Sequence, residues 1–201
     1  MQQEGLLLVI SGPSGAGKGT VCKALLQEVK DLKYSVSVTT RKPRVGEQHG
    51  VNYFFTSVEE FEEMIKNDQL LEWAKVYDNY YGTPKDFVIE TIKSGQDVIL
   101  EIDVNGAKQI FKNFPNGVFI FLLPPSMEEL CNRIYKRGTE TKDVIQKRLA
   151  AAQGEIEQVE NYNYVVLNDE VENAVNKIKA IIIAEKCKVN RNKVLKEEYL
   201  K

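Results

Sequence analysis

Five consecutive apolar residues, Leu6 to Ile10, end in a cluster of Gly, Ser and Pro. That is the pattern of a strand buried on both faces in a parallel sheet. A loop over 11–17 follows. Val21, Leu25 and Val29 then recur at a spacing of four, which predicts a helix from Lys18 to Lys30. Residues 35–38 alternate as a short strand, and 39–50 read as an irregular polar loop. Tyr53 to Phe55 is strand-like, and Ser57 with Glu60 forms a capping box that opens a helix to Asn67. Leu70–Tyr77 reads as strand. Thr83-Pro84 reads as an N-cap followed by proline at the first helical position, opening a helix to Ser94. A second buried strand over 98–102 precedes a helix over 105–112 and a strand over 118–123. Ser126 and Glu129 form another capping box, Ile145 to Val159 keep one helical face apolar, 165–167 is a short strand, and Val171 to Ile182 make the last helical face.

Strand and helix alternate, which predicts an α/β fold: a parallel sheet between two helical layers. Two stretches interrupt the alternation. Residues 35–83 look like an inserted lobe, and 136–149 contain a charged hinge-like loop, here taken as a lid. The core then comprises 1–34, 84–135 and 150–201, with a charged tail after Glu185. There is no internal repeat and no low-complexity tract.

Composition narrows the classes. The 201 residues suffice for one sizeable core with small inserted lobes. With 27 basic and 29 acidic residues the net charge is −2, which argues against general nucleic-acid binding. The 3 cysteines, Cys22, Cys131 and Cys187, are scattered and suggest no disulfide framework. His49 is the one histidine, so neither a zinc cluster nor a histidine-based triad is favoured. No apolar run is long enough for a membrane span, and a cytoplasmic protein is expected.

The most specific chemistry lies between the first strand and the first helix. Ser11, Gly12, Pro13, Ser14, Gly15, Ala16, Gly17, Lys18, Gly19 and Thr20 carry a G-x-x-x-x-G-K spacing. Glycines let the backbone curl so that successive N–H groups face one anion, and the helix N-terminus adds positive potential. Lys18 reaches the outer phosphates as a point charge. Gly19 stands where a P-loop commonly has Ser or Thr, so magnesium is expected to be held mainly through waters, phosphates and a carboxylate. Arg41 and Arg44, three residues apart around Pro43, form a second candidate anion clamp with Tyr53 as donor. Alone, such a pair is more often a solvated surface. Glu101 and Asp103 close a buried strand at its carboxyl end, where open α/β sheets bind ligands.

Together, GPSGAGKGT and segment 35–55 resemble guanylate kinase, and the resemblance runs from Leu6 to about Glu185. Further matches are Leu71–Ala74, Tyr80–Gly82, Glu101–Gly106, Arg137–Thr141, Lys147–Leu149 and Val166–Asp169. The resemblance implies a P-loop NTPase core of three layers that transfers the γ-phosphoryl group of ATP to GMP with Mg²⁺. It implies that Arg41, Arg44, Tyr53 and Tyr81 hold the GMP phosphate, with Gly82 beside them. Ser37, Glu72, Thr83 and Asp103 would surround the guanine, with Glu101 close by. Arg137 and Arg148 would approach the transferring phosphoryl alongside Lys18. Arg133, four residues before Arg137, and Asn168 would lie on the ATP side. Asn52 departs from the family, where Asp usually precedes the tyrosine. Trp73, the only tryptophan, reads as core. A monomer or small homo-oligomer is expected. Two rivals are a guanylate-kinase-like module that only binds proteins and a P-loop kinase for another monophosphate. The intact glycine loop weighs against the first, and Glu72 against the second.

Overall fold

The computed structural model describes residues 3–76, 78–136, 142–192 and 199, with backbone alone for 136 and 142–148. The strands are β1 (Leu7–Ser11), β2 (Leu32–Tyr34), β3 (Val38–Thr39), β4 (Phe54–Phe55), β5 (Leu70–Val76), β6 (Asn79–Pro84), β7 (Asp97–Glu101), β8 (Val118–Leu123) and β9 (Tyr164–Leu167). The helices are α1 (Lys18–Glu28), α2 (Val58–Lys66), α3 (Lys85–Lys93), α4 (Val104–Asn113), α5 (Met127–Lys136), α6 (Lys142–Ile156) and α7 (Val171–Lys186), with a 3₁₀ turn over Glu157–Asn161.

Five strands form one parallel sheet in the order β2-β7-β1-β8-β9. Side chains alternate across a strand, so each strand feeds two layers. On one face Leu8 and Ile10 of β1 pack with Ile120 and Val166 against Val21 and Leu25 of α1 and Ile178 of α7. On the other, Leu7 and Val9 pack with Leu100 and Phe119 against Val88 of α3 and Ile110 of α4. Each fully buried side chain of this kind is worth roughly 1.5–3 kcal/mol over exposure. The three-layer α/β core is the expected one. A second sheet, in the order β4-β3-β6-β5, is built from chain between β2 and α3 and buries Val38, Leu70 and Phe61 of α2. Among the described residues no helix is long and apolar enough to cross a membrane.

Several local expectations need correction. Of the strand expected over 35–38 only Val38 lies in a strand: β2 ends at Tyr34 and pairs with β7 in the main sheet, β3 starts at Val38 and pairs with β6 in the second, and Ser35–Ser37 crosses between them. The first helix stops at Glu28 because Val29 turns extended. Thr83 is not a helix cap. It belongs to β6, and Pro84, which has no side-chain cap bond, takes the N-cap position of α3. The Ser57–Glu60 capping box is complete. The second box is half-formed: Ser126 accepts the Glu129 N–H, but the Glu129 carboxylate pairs with Arg133. Trp73 is 38% exposed and lies edge-on to Tyr80 rather than in the core. The lid segment 137–141 and most of the tail beyond 192 lie outside the described residues.

Candidate active site

The glycine loop hangs between β1 and α1, at the carboxyl end of the sheet. Gly12 has φ +142°, and a methyl there would overlap the Leu122 carbonyl of β8. Only glycine lets the loop leave β1 this close to its neighbour. Gly17, at φ 92° and ψ 21°, takes the N-cap position with no capping side chain, so the first amides of α1 remain open to an anion. The Lys18 ammonium donates to the Gly12 carbonyl at 2.6 Å and the Pro13 carbonyl at 3.3 Å. Loss of water lowers its pKa, while Glu101, Glu155 and Asp103 act in the opposite direction and favour the charged form.

Behind the loop, Asn168 is 3% exposed, and its amide donates to the Ala16 carbonyl at 2.7 Å. Arg133 donates to the Asn168 carbonyl at 3.2 Å and to Glu129 at 2.8 Å. These two residues brace the loop from outside.

Across the sheet end lies a cleft of ≈ 450 Å³. Its walls bring Gly12, Ser14, Gly15, Gly17, Lys18 and Gly19 together with Ser37, Arg41, Arg44, Tyr53, Glu72, Tyr81, Gly82, Glu101 and Asp103. Ser11, Ala16 and Thr83 are buried beneath this surface. Thr20 is exposed, and Pro13 and Thr20 are not among the lining residues. Arg137 lies outside the described residues. Position 148 falls within α6, and only its backbone is described.

Glu72 is the most unusual group in the cleft. It is 5% exposed on β5, opposite Thr83 of β6, whose hydroxyl donates to Oε1 at 2.6 Å. Burial pushes its pKa up to about 7; the Thr83 hydrogen bond pulls it down and Asp103 adds to the rise. Asp103 is not a strand residue. It is the N-cap of α4, and its carboxylate accepts the Gly106 N–H at 2.7 Å. Glu101 ends β7 and accepts the Tyr34 hydroxyl at 3.3 Å. At the far wall Arg41 stacks over Tyr53, 5.3 Å from the ring centre, and Tyr53 lies edge-on to Tyr81 at 6.0 Å.

Sequence reasoning missed three carboxylate partners or polar neighbours here. Glu47 pairs with Arg41 at 2.9 Å and accepts the Arg44 N–H at 2.7 Å, which holds its carboxyl below the usual range. Its place three residues after Arg44 was the available signal. Tyr34 offered none, because only sheet pairing brings it to Glu101. Glu155 lines the cleft from α6. Its spacing of seven from Arg148 puts both positions on one helical face. Among the described residues no group of three or more His, Cys, Asp or Glu could hold a metal alone.

A parallel sheet whose first strand runs through a G-x-x-x-x-G-K loop into an uncapped helix is the arrangement of the P-loop phosphate-binding proteins. The guanylate kinase family model matches residues 4–185, and the chain belongs to the guanylate kinase family. A guanylate kinase of Caldanaerobacter subterraneus subsp. tengcongensis is 63% identical over 201 residues, 100% of this chain and 96% of that protein. One of Desulfitobacterium hafniense is 59% identical over 190 residues, 94% of this chain and 95% of the other. The crystal structure of guanylate kinase from Anaplasma phagocytophilum aligns with TM-score 0.79 at 35% identity, covering 95% of this chain and 91% of that one.

Proposed function

We propose that this chain transfers the γ-phosphoryl group of ATP to GMP, giving ADP and GDP. The observation that carries the reading is one cleft bordered by both a buried carboxylate, Glu72, and the glycine loop with Lys18. A carboxylate accepts hydrogen bonds and donates none. Guanine presents N1–H and an N2 amino group on one edge, whereas adenine presents a bare acceptor at N1. Glu72 therefore favours guanine, and adenine there would leave polar groups unpaired. Ser37, Thr83 and Asp103 complete this end of the pocket. Arg41, Arg44, Tyr53 and Tyr81 form the phosphate clamp, with Gly82 between the clamp and the base.

The nucleophile is a phosphate oxygen of GMP. With a second pKa near ~6 it is largely ionised at neutral pH and needs no general base. Catalysis then rests on alignment and charge neutralisation. Lys18, Arg137 and Arg148 spread over the transferring group, and Arg41 and Arg44 screen the acceptor so that two anions approach. Residues 35–83 and 136–149 are the parts that close over the substrates and exclude water.

Bound with ATP, Mg²⁺ would neutralise charge and orient the outer phosphate oxygens. The donor set fits it: a Cβ at position 19 would lie 3.4 Å from both oxygens of Glu101, so a carboxylate borders the place of the missing hydroxyl. Glu101 would hold the ion through water. A coupled ADP-release assay with ATP, Mg²⁺ and a panel of GMP, dGMP, AMP and UMP tests the reading. Turnover with GMP but not AMP is expected. No turnover with any acceptor would leave a protein-binding module, and turnover with UMP or AMP a kinase of other specificity.

A further inference from the structure

Leu70, Leu71 and Glu72 are consecutive, yet each serves a different part of the molecule. Leu70 packs with Val38 and Phe61 in the cluster of the second sheet. Leu71 joins Ala107 and Ile110 of α4 in the main core. Glu72 lines the cleft. Strand β5 is thus the seam between the second sheet and the core. Its pairing with β6 shifts register between Leu70 and Glu72. The ladder is disrupted at such a shift, so β6 does not by itself fix the place of Glu72.

The other side of β5 is a sheet edge, since β5 ends the order β4-β3-β6-β5. An edge strand presents N–H and C=O groups that no neighbouring strand pairs. At Trp73 one side chain of α4 takes both. Gln109 accepts the Trp73 N–H at 3.3 Å, and its amide donates to the Trp73 carbonyl at 2.6 Å. A carboxamide carries a donor and an acceptor side by side, as a peptide does, so Gln109 stands in for one residue of a missing strand. Asp103, Gly106 and Gln109 recur every three residues and follow one stripe from the N-cap along α4. Glu72 lies against that stripe: a Cβ at position 106 would collide with its Oε2. Leu71 on one side and Trp73 on the other therefore tie the backbone of Glu72 to the helix that its carboxylate meets.

We propose that Gln109 is the positioning residue of the base-reading carboxylate. By gripping both backbone polar groups of Trp73 it holds Glu72 over the first turn of α4, and this sets the affinity for guanine and the preference over adenine. Gln109 is not among the residues that line the cleft, so it acts through Glu72. The inference rests on Glu72 reading the base in the proposed reaction.

The test is a double-mutant cycle of wild type, Gln109→Met, Glu72→Gln and the pair, titrated calorimetrically with GMP, AMP and ATP. Methionine keeps the length of the side chain and removes both hydrogen bonds. GMP affinity should fall roughly tenfold in Gln109→Met, and the preference over AMP should narrow. ATP affinity should stay within about twofold and kcat at saturating GMP within about threefold. In the Glu72→Gln background the same change should alter GMP affinity less than about twofold, because the two side chains act as one unit. Exchange of the Trp73 amide hydrogen should quicken at least about tenfold in Gln109→Met. Gln109→Glu keeps the length and loses the donor; it should weaken GMP in the same direction, and it decides the matter if the methionine variant does not fold. Unchanged GMP affinity or additive losses in the cycle overturn the inference. Equal weakening of GMP and ATP does so by making Gln109 merely structural, and an unchanged Trp73 exchange rate by removing the grip. If Glu72→Gln alone leaves GMP affinity and the preference over AMP intact, it is the base reading of Glu72 that fails, and the inference falls with it.

Discussion

Replacing Glu72 by glutamine keeps its volume and removes its charge, which isolates the proposed base-reading role. Thr83 donates to Oε1 at 2.6 Å, so in the variant that oxygen stays an acceptor and the amide nitrogen takes the other position. An N–H then faces the donor edge of guanine. One charge-assisted hydrogen bond is lost and the other weakened, each worth about 1.5–3 kcal/mol. With part of this returned by easier burial of a neutral group, KM for GMP should rise by roughly 50-fold. The preference over AMP should narrow further, because the new N–H suits the bare N1 of adenine.

The pH dependence makes the test sharper. The Glu72 carboxyl is pushed up to about 7, chiefly by burial. Below that pH it carries a proton and presents a donor to a donor edge. About one-tenth is ionised at pH 6 and about nine-tenths at pH 8, so GMP affinity should rise about tenfold over that range. The GMP phosphate, with its pKa near ~6, titrates in the same direction. Glu72→Gln retains only that second part, so the difference between the two profiles belongs to Glu72. Binding of GMP to the wild type near pH 6.5 should also release a proton that the variant does not release, which calorimetry in buffers of different ionisation enthalpy reads directly. For stability the sign is opposite to that of a salt-bridged carboxylate. The folded state holds its proton more tightly than the unfolded chain, so the Glu72 contribution falls as pH rises from about 4.5 to about 7. At pH 8 the variant should be more stable than the wild type, by up to about 3 kcal/mol. Identical GMP pH profiles in the two proteins, or a KM within threefold, would refute the reasoning.

Three further outcomes follow from the geometry. Gly106→Ala would place a methyl against Glu72 Oε2; the carboxylate must swing away, and GMP affinity should fall at least tenfold while ATP affinity and melting temperature change little. Asn168→Ala removes the shorter of two hydrogen bonds to the Ala16 carbonyl, leaving the 3.4 Å one from Arg133, which should cost about 1 kcal/mol in thermal denaturation and weaken ATP binding more than GMP binding. Lys18→Met should lower kcat by roughly 10³-fold or more with GMP affinity within threefold; a larger loss of GMP binding would place Lys18 in the acceptor site.

The glycine loop was legible in the sequence because it is local: strand, loop and helix follow one another, and the spacing alone implies the geometry. The other wall of the cleft was named only through the family resemblance and not by its own spacing, because strand pairing builds it. Alternation along Leu70–Trp73 cannot say which residue faces in, since the β5–β6 register shifts between Leu70 and Glu72. Leu70, Leu71 and Glu72 are all buried in consequence, and Trp73, the residue most readily taken for core, faces outward, with Gln109 hydrogen-bonding its backbone. Thr83 fails as a cap for the same reason: β6 claims it for Glu72 before α3 begins. Two signals were present and unread. Asp103 three residues before Gly106 has the side-chain type and position of an N-cap, and the spacing of Arg148, Ala151 and Glu155 marks one helical face. The distinction is physical. A motif that closes within one turn can be read residue by residue, but the setting of Glu72 depends on tertiary burial and on a hydroxyl partner, Thr83, eleven residues away in sequence across a strand pair. If Glu72 reads the base as proposed, the burial that would make it selective also pushes its pKa up to about 7, so selectivity and pH response should be lost together or kept together in any variant of this wall.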